Sequence, residues 1–252
     1  MASEPSAGPA SPGARAGRTA LVLVHEPGNT PSVLGRHLRR RGWSLAEHLV
    51  VAHLERPGEA APFPPLDGFD LVVAMGSVQS VYDTATIGPW IDAELELLRQ
   101  AHEGGVPVLG VCFGGQALAA ALGGRVERAP WSEVGWFELA GEANPVGPGP
   151  WFEWHHDRFE VPPGGETLAV TDVGPQLYRI GRSVGTQFHP EVDRAHIAAW
   201  LADCTEGYLA EVGVRPGELL AATAELEAAN VANCARLVDW FLDEIAFVPT
   251  LT

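Results

Sequence analysis

A chain of 252 residues fits one large domain, or one domain with appendages, and is long enough to bury a sizeable core. A formal net charge of −16 excludes nucleic acid and anionic membranes as main partners, because like charges repel. Cys112, Cys204 and Cys234 are sparse and form no CxxC pair, which points away from a disulfide framework and toward a reducing, cytoplasmic compartment.

Residues 1–18 are mostly Ala, Ser, Pro and Gly. They cannot bury enough apolar area to offset their ordering entropy, so a disordered tail is expected. They lack the apolar core of a signal peptide, and no run long enough for a transmembrane helix follows. Residues 19–25 form a continuous apolar run, the mark of a strand buried on both faces. A helix is expected over 31–41, a second strand within 45–54, around 49–52, and a third over 69–75. Helical spacing over 90–103 ends at Gly104-Gly105. A fourth strand over 107–111 leads into Cys112, Gly114, Gly115 and an alanine-rich helical stretch. Strands alternating with helices imply right-handed crossovers and a parallel sheet covered on both faces. Ligands bind beyond the carboxyl ends of such strands, where Pro27, Gly76 and Cys112 fall.

After Leu122 the expected strands are short: 124–128, 135–139, 167–170, 176–180 and 183–188. A helix over 193–204 follows, and Pro216 suits the first turn of another. Val231, Cys234, Leu237, Val238, Phe241, Leu242 and Ile245 repeat at helical spacing. That face packs on the parent domain or, alternatively, serves as a partner or dimer surface. The fold class expected is α/β: a flavodoxin-like, doubly wound, mostly parallel sheet with helices on both faces, a small side sheet and a C-terminal helical extension. The division is a tail at 1–18, a main domain at 19–204 and helices packed on it at 205–252.

A cysteine nucleophile needs a base, a group that orients the base, and donors for a developing oxyanion. Cys112 stands at a strand-to-helix turn, where the helix N-terminus favours a thiolate. His189 follows a predicted strand. Residues two apart in an extended segment point the same way, so Glu191 is placed to hold its imidazole. The N–H of Phe113 and the end of the third strand at Gly76 are the expected oxyanion donors. Cys204 and Cys234 lie on apolar helix stripes and read as core. His155 and His156 either line the site or serve a structural role, and no zinc-type ligand spacing occurs.

The segment Gly110-Val111-Cys112-Phe113-Gly114-Gly115-Gln116, with Phe188-His189-Pro190-Glu191, resembles the elbow and His-Pro-Glu motifs of the class I (triad) glutamine amidotransferases. Glu133 to Trp136 and Trp154 to Asp157 look like the GMP-synthetase branch. The likeness runs from about Thr19 to Trp200. It implies that Cys112 attacks the side-chain amide of glutamine, that His189 moves protons and Glu191 orients it, and that a glutamyl thioester is hydrolysed by water. It also implies substrate contacts at Gln116 and Gly114, with no cofactor and no metal. The family's Gly-Gly-Pro or Gly-Gly-Ser reads Met75-Gly76-Ser77 here, one glycine fewer. No synthetase-like stretch follows, so the expected acceptor of ammonia is a synthetase subunit on another polypeptide; a homodimer is also open. The alternatives are a γ-glutamyl amide or peptide hydrolase and a redox or stress-response protein with a similar cysteine elbow.

Overall fold

The computed structural model describes residues 17–247. The expected tail therefore lies outside the described residues, except that Arg18 already belongs to a strand. In chain order the elements are β1 (Arg18–Val24), α1 (Ser32–Arg40), β2 (Trp43–Leu49), β3 (Leu71–Ala74), α2 (Thr84–Glu103), β4 (Val108–Val111) and α3 (Phe113–Ala121). Then come β5 (Val126–Phe137), β6 (Trp151–Phe159), β7 (Glu166–Val170), β8 (Pro175–Ile180) and β9 (Ser183–Thr186). The chain closes with α4 (Arg194–Asp203), α5 (Glu206–Glu211), α6 (Pro216–Trp240) and a π-helical turn, Phe241–Ala246.

Among the described residues the strands form a seven-stranded sheet in the order β2-β1-β3-β4-β9-β8-β7, and β5 pairs with β6 in a separate ribbon. From β2 to β9 all neighbours are parallel, while β8 and β7 run antiparallel. The expected α/β sheet and side sheet are thus present. The apolar run of β1 has a direct cause. Ala20, Val22 and Val24 point into one core with α1 and α6, and Leu21 and Leu23 into the other with α2 and α3. A strand covered on both faces has no polar side to show. Cys234, Leu237, Val238 and Phe241 join Val33, Leu34 and Leu38 of α1 in the first core.

Three differences from the sequence reading have physical reasons. β2 lies at Trp43–Leu49 rather than around 49–52. It is an edge strand with polar Ser44, Glu47 and His48, so its pattern is weak, while Val50 and Val51 merely extend the ladder through N–H bonds to Val24 O and His25 O. The expected pieces 124–128 and 135–139 are one twelve-residue strand, β5, with an irregularity between Arg128 and Glu133. β6 was not expected as a strand because its inward face is polar: Glu153, His155 and Asp157 are all buried.

Because β1, β3, β4 and β9 are parallel, their carboxyl ends share one edge of the sheet. His25, Gly76, Cys112 and His189 emerge there, and β6 lies across them.

Candidate active site

Cys112 caps α3 with φ 50° and ψ −109°. A side chain at positive φ costs on the order of 1–3 kcal/mol and persists only where its surroundings impose it. Here they do. Cys112 N donates to Thr186 O (2.8 Å), Gly114 N to Met75 O (3.1 Å) and Gln116 N to Cys112 O (2.9 Å). The first turn of α3 is pressed against the strand ends. A Cβ on Gly110 would lie 2.5 Å from Gly114 O, one on Gly114 2.1 Å from Ala74 O, and one on Gly115 2.4 Å from Thr186 O. The glycines of the elbow are thus required by backbone contact. Gly114, read from sequence as a substrate contact, is buried in that packing and is not part of the cavity wall.

His189 faces this elbow. Its Nδ1 lies 2.8 Å from Glu191 Oε1, and both side chains are buried. A Cβ placed on Gly76 would lie within 2.9 Å of the ring and 3.9 Å of Cys112 Cβ, and Cys112 acts electrostatically on the imidazole. Since Glu191 takes the Nδ1 proton, Nε2 is left to exchange a proton with sulfur. Burial works to lower the imidazole pKa, but the Glu191 carboxylate and Cys112 outweigh it and hold it well above the usual histidine value. His189 N is fixed to Phe152 O (2.7 Å). Behind Glu191, the buried Asn230 of α6 donates to Pro190 O (3.4 Å) and Val192 O (2.9 Å). The C-terminal helix therefore braces the His-Pro-Glu segment.

Gly76 lies against the other side of the His189 ring. A Cβ there would come within 2.9 Å of His189 Cε1. Its carbonyl accepts from His25 Nδ1 (3.2 Å), whose Nε2 faces Glu94 Oε1 at 2.9 Å. His25 and Glu94 are fully buried, and the ring sits edge-on to Phe113. Burial opposes charge on His25, but Glu94 outweighs it, so its pKa is raised. Next in the loop, Glu26 holds the Ser77 hydroxyl, the Val78 N–H (3.3 Å) and the Asn29 amide (2.8 Å). Asp157 of β6 takes Ser80 Oγ (2.5 Å) and Tyr82 Oη (2.7 Å). The sequence reading missed these anchors. Their signal was a histidine ending a buried strand and a glutamate, Glu94, inside an apolar helical stripe.

Two amides connect to the sulfur. Gln116 Nε2 donates to Asp157 O (3.3 Å) and to Gln187 Oε1 (3.2 Å), and Gln187 Nε2 donates to Cys112 Sγ (3.6 Å). Gln116 touches the cavity, but its donor group is engaged in the wall. Gln187 was not singled out from sequence, although it stands two residues before His189. Deeper in, His155 Nδ1 donates to Asp157 O (2.9 Å) and Nε2 approaches Glu133 (3.1 Å) and Glu153 (3.5 Å). Burial, with Glu133 nearby, pushes the Glu153 carboxyl well above the usual carboxylate range.

Cys112 and His189 open into a cavity of about 470 Å³. One side is the 26–29 and 77–80 loops; the other is Trp154 of β6 with Trp200, Cys204 and Tyr208 from α4 and α5. Cys204, just past the end of α4, is half-buried: it packs against the cluster of Phe152, Ile197 and Leu201, as expected, and also lines the cavity. Cys234 is fully buried. Among the described residues, no group of three or more His, Cys, Asp or Glu is arranged to hold a metal ion, and no helix is long and apolar enough to cross a membrane.

Residues 33–204 match the family described as glutamine amidotransferase class-I. The chain is 28% identical over 236 residues to the glutamine amidotransferase-like protein YfeJ of Salmonella typhimurium, covering 88% of this chain and 95% of that protein. It is 30% identical over 220 residues to the glutamine-hydrolysing GMP synthase of Aeropyrum pernix, covering 81% of this chain but 39% of the synthase. A crystal structure of a glutamine amidotransferase from Thermotoga maritima superposes with a TM-score of 0.77 at 23% identity, covering 90% of this chain and 99% of that one. The chain belongs to the class-I glutamine amidotransferase family and is an enzyme of that family.

Proposed function

We propose that this protein hydrolyses the side-chain amide of glutamine with Cys112 as nucleophile, His189 as proton carrier and Glu191 as its orienting carboxylate. The observation that carries this reading is the 2.8 Å contact of His189 Nδ1 with Glu191, in a ring that sits beside a cysteine at a strained elbow. Sγ, its proton passed to His189, attacks the amide carbon and a C–S bond forms. The C–N bond breaks as His189 returns the proton to nitrogen, and ammonia leaves. Water then attacks the thioester, His189 takes its proton, and glutamate departs as the thiol is restored.

The oxyanion formed in each step is assigned to the N–H groups of Phe113 and Ser77. The Gly76 carbonyl is tied to His25, and in a trans peptide the following N–H points the opposite way, toward the cavity that Ser77 lines. We assign the donor role expected at Gly76 to the N–H of the peptide unit that Gly76 shares with Ser77. We assign residues 19–204 to the amidotransferase unit and 205–252 to its helical extension, in a cytoplasmic protein; where glutamine is the substrate, the ammonia is assigned to a synthetase subunit on a separate polypeptide. The test is glutamate release from glutamine by the purified chain, with and without candidate partners. Cys112→Ala is expected to abolish it; full activity in that variant refutes the reading.

A further inference from the structure

Ammonia needs no pocket, yet the leaving-group side of this site is a built one. The three directions around the reacting carbon are set by the residues above. Sulfur comes from Cys112, the oxyanion faces Phe113 and Ser77, and the departing nitrogen must face His189, which protonates it. The wall continuing from His189 on that side is Trp200, whose ring meets the imidazole edge-on at 5.1 Å between centroids. Trp154 meets Trp200 edge-on at 5.8 Å and is held by its N–H to Tyr208 Oη (2.8 Å). Trp200 is itself held by Asn29 Oδ1 (3.0 Å). Both indoles are thus fixed and half-buried before any ligand arrives.

Away from His189, the formal charge on this wall is carried by carboxylates. Two of the cavity's carboxylates are engaged, Glu26 by Ser77 and Asn29, and Asp157 by Ser80 and Tyr82. Asp203 is exposed, lines the cavity and closes α4, where the last carbonyls of the helix add partial negative charge. Among the described residues, no lysine or arginine forms part of the wall; Arg128 acts on Tyr208 and His156 from outside it. Fixed indoles followed by a free carboxylate suit an alkylammonium group. Trp200 and Asp203 are about one helical turn apart, a rise of roughly 4.5 Å, which a chain of about four methylenes spans.

We propose that the preferred substrate of this site is a γ-glutamyl amide of a short aliphatic diamine, its methylenes on Trp154 and Trp200 and its free ammonium at Asp203. This rests on the triad reading and specifies its leaving group. The reaction balances as before: the C–N bond of the amide breaks, nitrogen takes the proton from His189, the diamine departs in place of ammonia, and water releases glutamate from Cys112.

The experiment compares kcat/KM of the full chain for glutamine, γ-glutamylbutylamide and the mono-γ-glutamyl amide of diaminobutane. The diaminobutane amide is expected to exceed glutamine by at least about 10-fold, from methylene burial at about 0.8 kcal/mol each when complete. Asp203→Asn is expected to narrow the preference for the charged over the neutral amide about threefold, the scale of an exposed ion pair. If glutamine outpaces both substituted amides, this inference falls and the glutaminase reading stands. Equal rates for charged and neutral amides, indifferent to Asp203→Asn, overturn the ammonium site. If no amide is cleaved and none acylates Cys112 in intact-protein mass spectra, both readings fall.

Discussion

Two buried histidine–carboxylate pairs stand side by side at the same sheet edge, and they do different work. In His189–Glu191 and His25–Glu94 the contacts are 2.8 and 2.9 Å, and in both the carboxylate raises the histidine pKa against the effect of burial. The difference is the second ring nitrogen. That of His25 is used up on the Gly76 carbonyl, whereas that of His189 faces a thiol. A backbone carbonyl is only an acceptor, so His25 can hold a peptide in place but has no proton to exchange with it. On the proposed mechanism, reactivity follows from what the free nitrogen meets, not from the carboxylate behind it.

The sharpest way to break this contrast is to remove each ring. His189→Gln is expected to lower turnover by on the order of a thousandfold or more, with little change in unfolding midpoint. Comparable glutamate release in that variant would end the distinction. Removing the carboxylate of the other pair acts on stability instead. Glu94→Ala leaves a buried charge unpaired and is expected to cost about 3–5 kcal/mol in denaturant unfolding. A loss as small as that of a surface substitution would mean that His25 is neutral.

The pH dependences separate the pairs further. His25 has a raised folded pKa, so its stabilisation is complete below the unfolded value of 6.5 and is lost as pH rises through the folded value above it. Unfolding free energy measured from pH 6 upward, about the unfolded pKa, should decline more in the native chain than in Glu94→Ala. For His189 the readout is catalytic. Glu191→Gln removes the charge that raises its pKa, so the alkaline limb of kcat/KM should move to lower pH. An unmoved limb assigns it to another group. The smallest effect expected is at the sulfur. Gln187→Leu removes the N–H that donates to Sγ, and alkylation of Cys112 by iodoacetamide near neutral pH should slow about tenfold, the scale of one hydrogen bond to a charged group. Gln116→Leu should slow it less, and the double variant should fall short of the product of the two.

The chain disclosed some of this arrangement readily. Buried parallel strands write themselves as unbroken apolar runs, so β1, β3 and β4 and the ends that carry the site could be read directly. The elbow glycines were equally plain, since only they permit α3 to touch Ala74 and Thr186. What stayed hidden is where polarity is turned inward. β6 buries Glu153, His155 and Asp157, so a strand that packs like a core element reads like a loop. His25–Glu94 joins residues 69 apart, and Gln116–Gln187 residues 71 apart, pairings that no local periodicity encodes. Cys204 reads as core because its helical stripe is apolar, and it packs so, but that stripe also continues onto the cavity wall.

The elbow also bears on how this sequence can drift. At φ 50° the backbone of Cys112 sits where glycine is at ease and every other residue is strained. As far as chain conformation is concerned, selection for stability alone would steadily replace this residue with glycine. On the proposed reading of Cys112 as nucleophile, activity holds the cysteine there against a standing pressure from the fold. Descendants freed from the reaction should therefore lose this side chain early, while Gly110, Gly114 and Gly115, whose backbones support the sheet, persist.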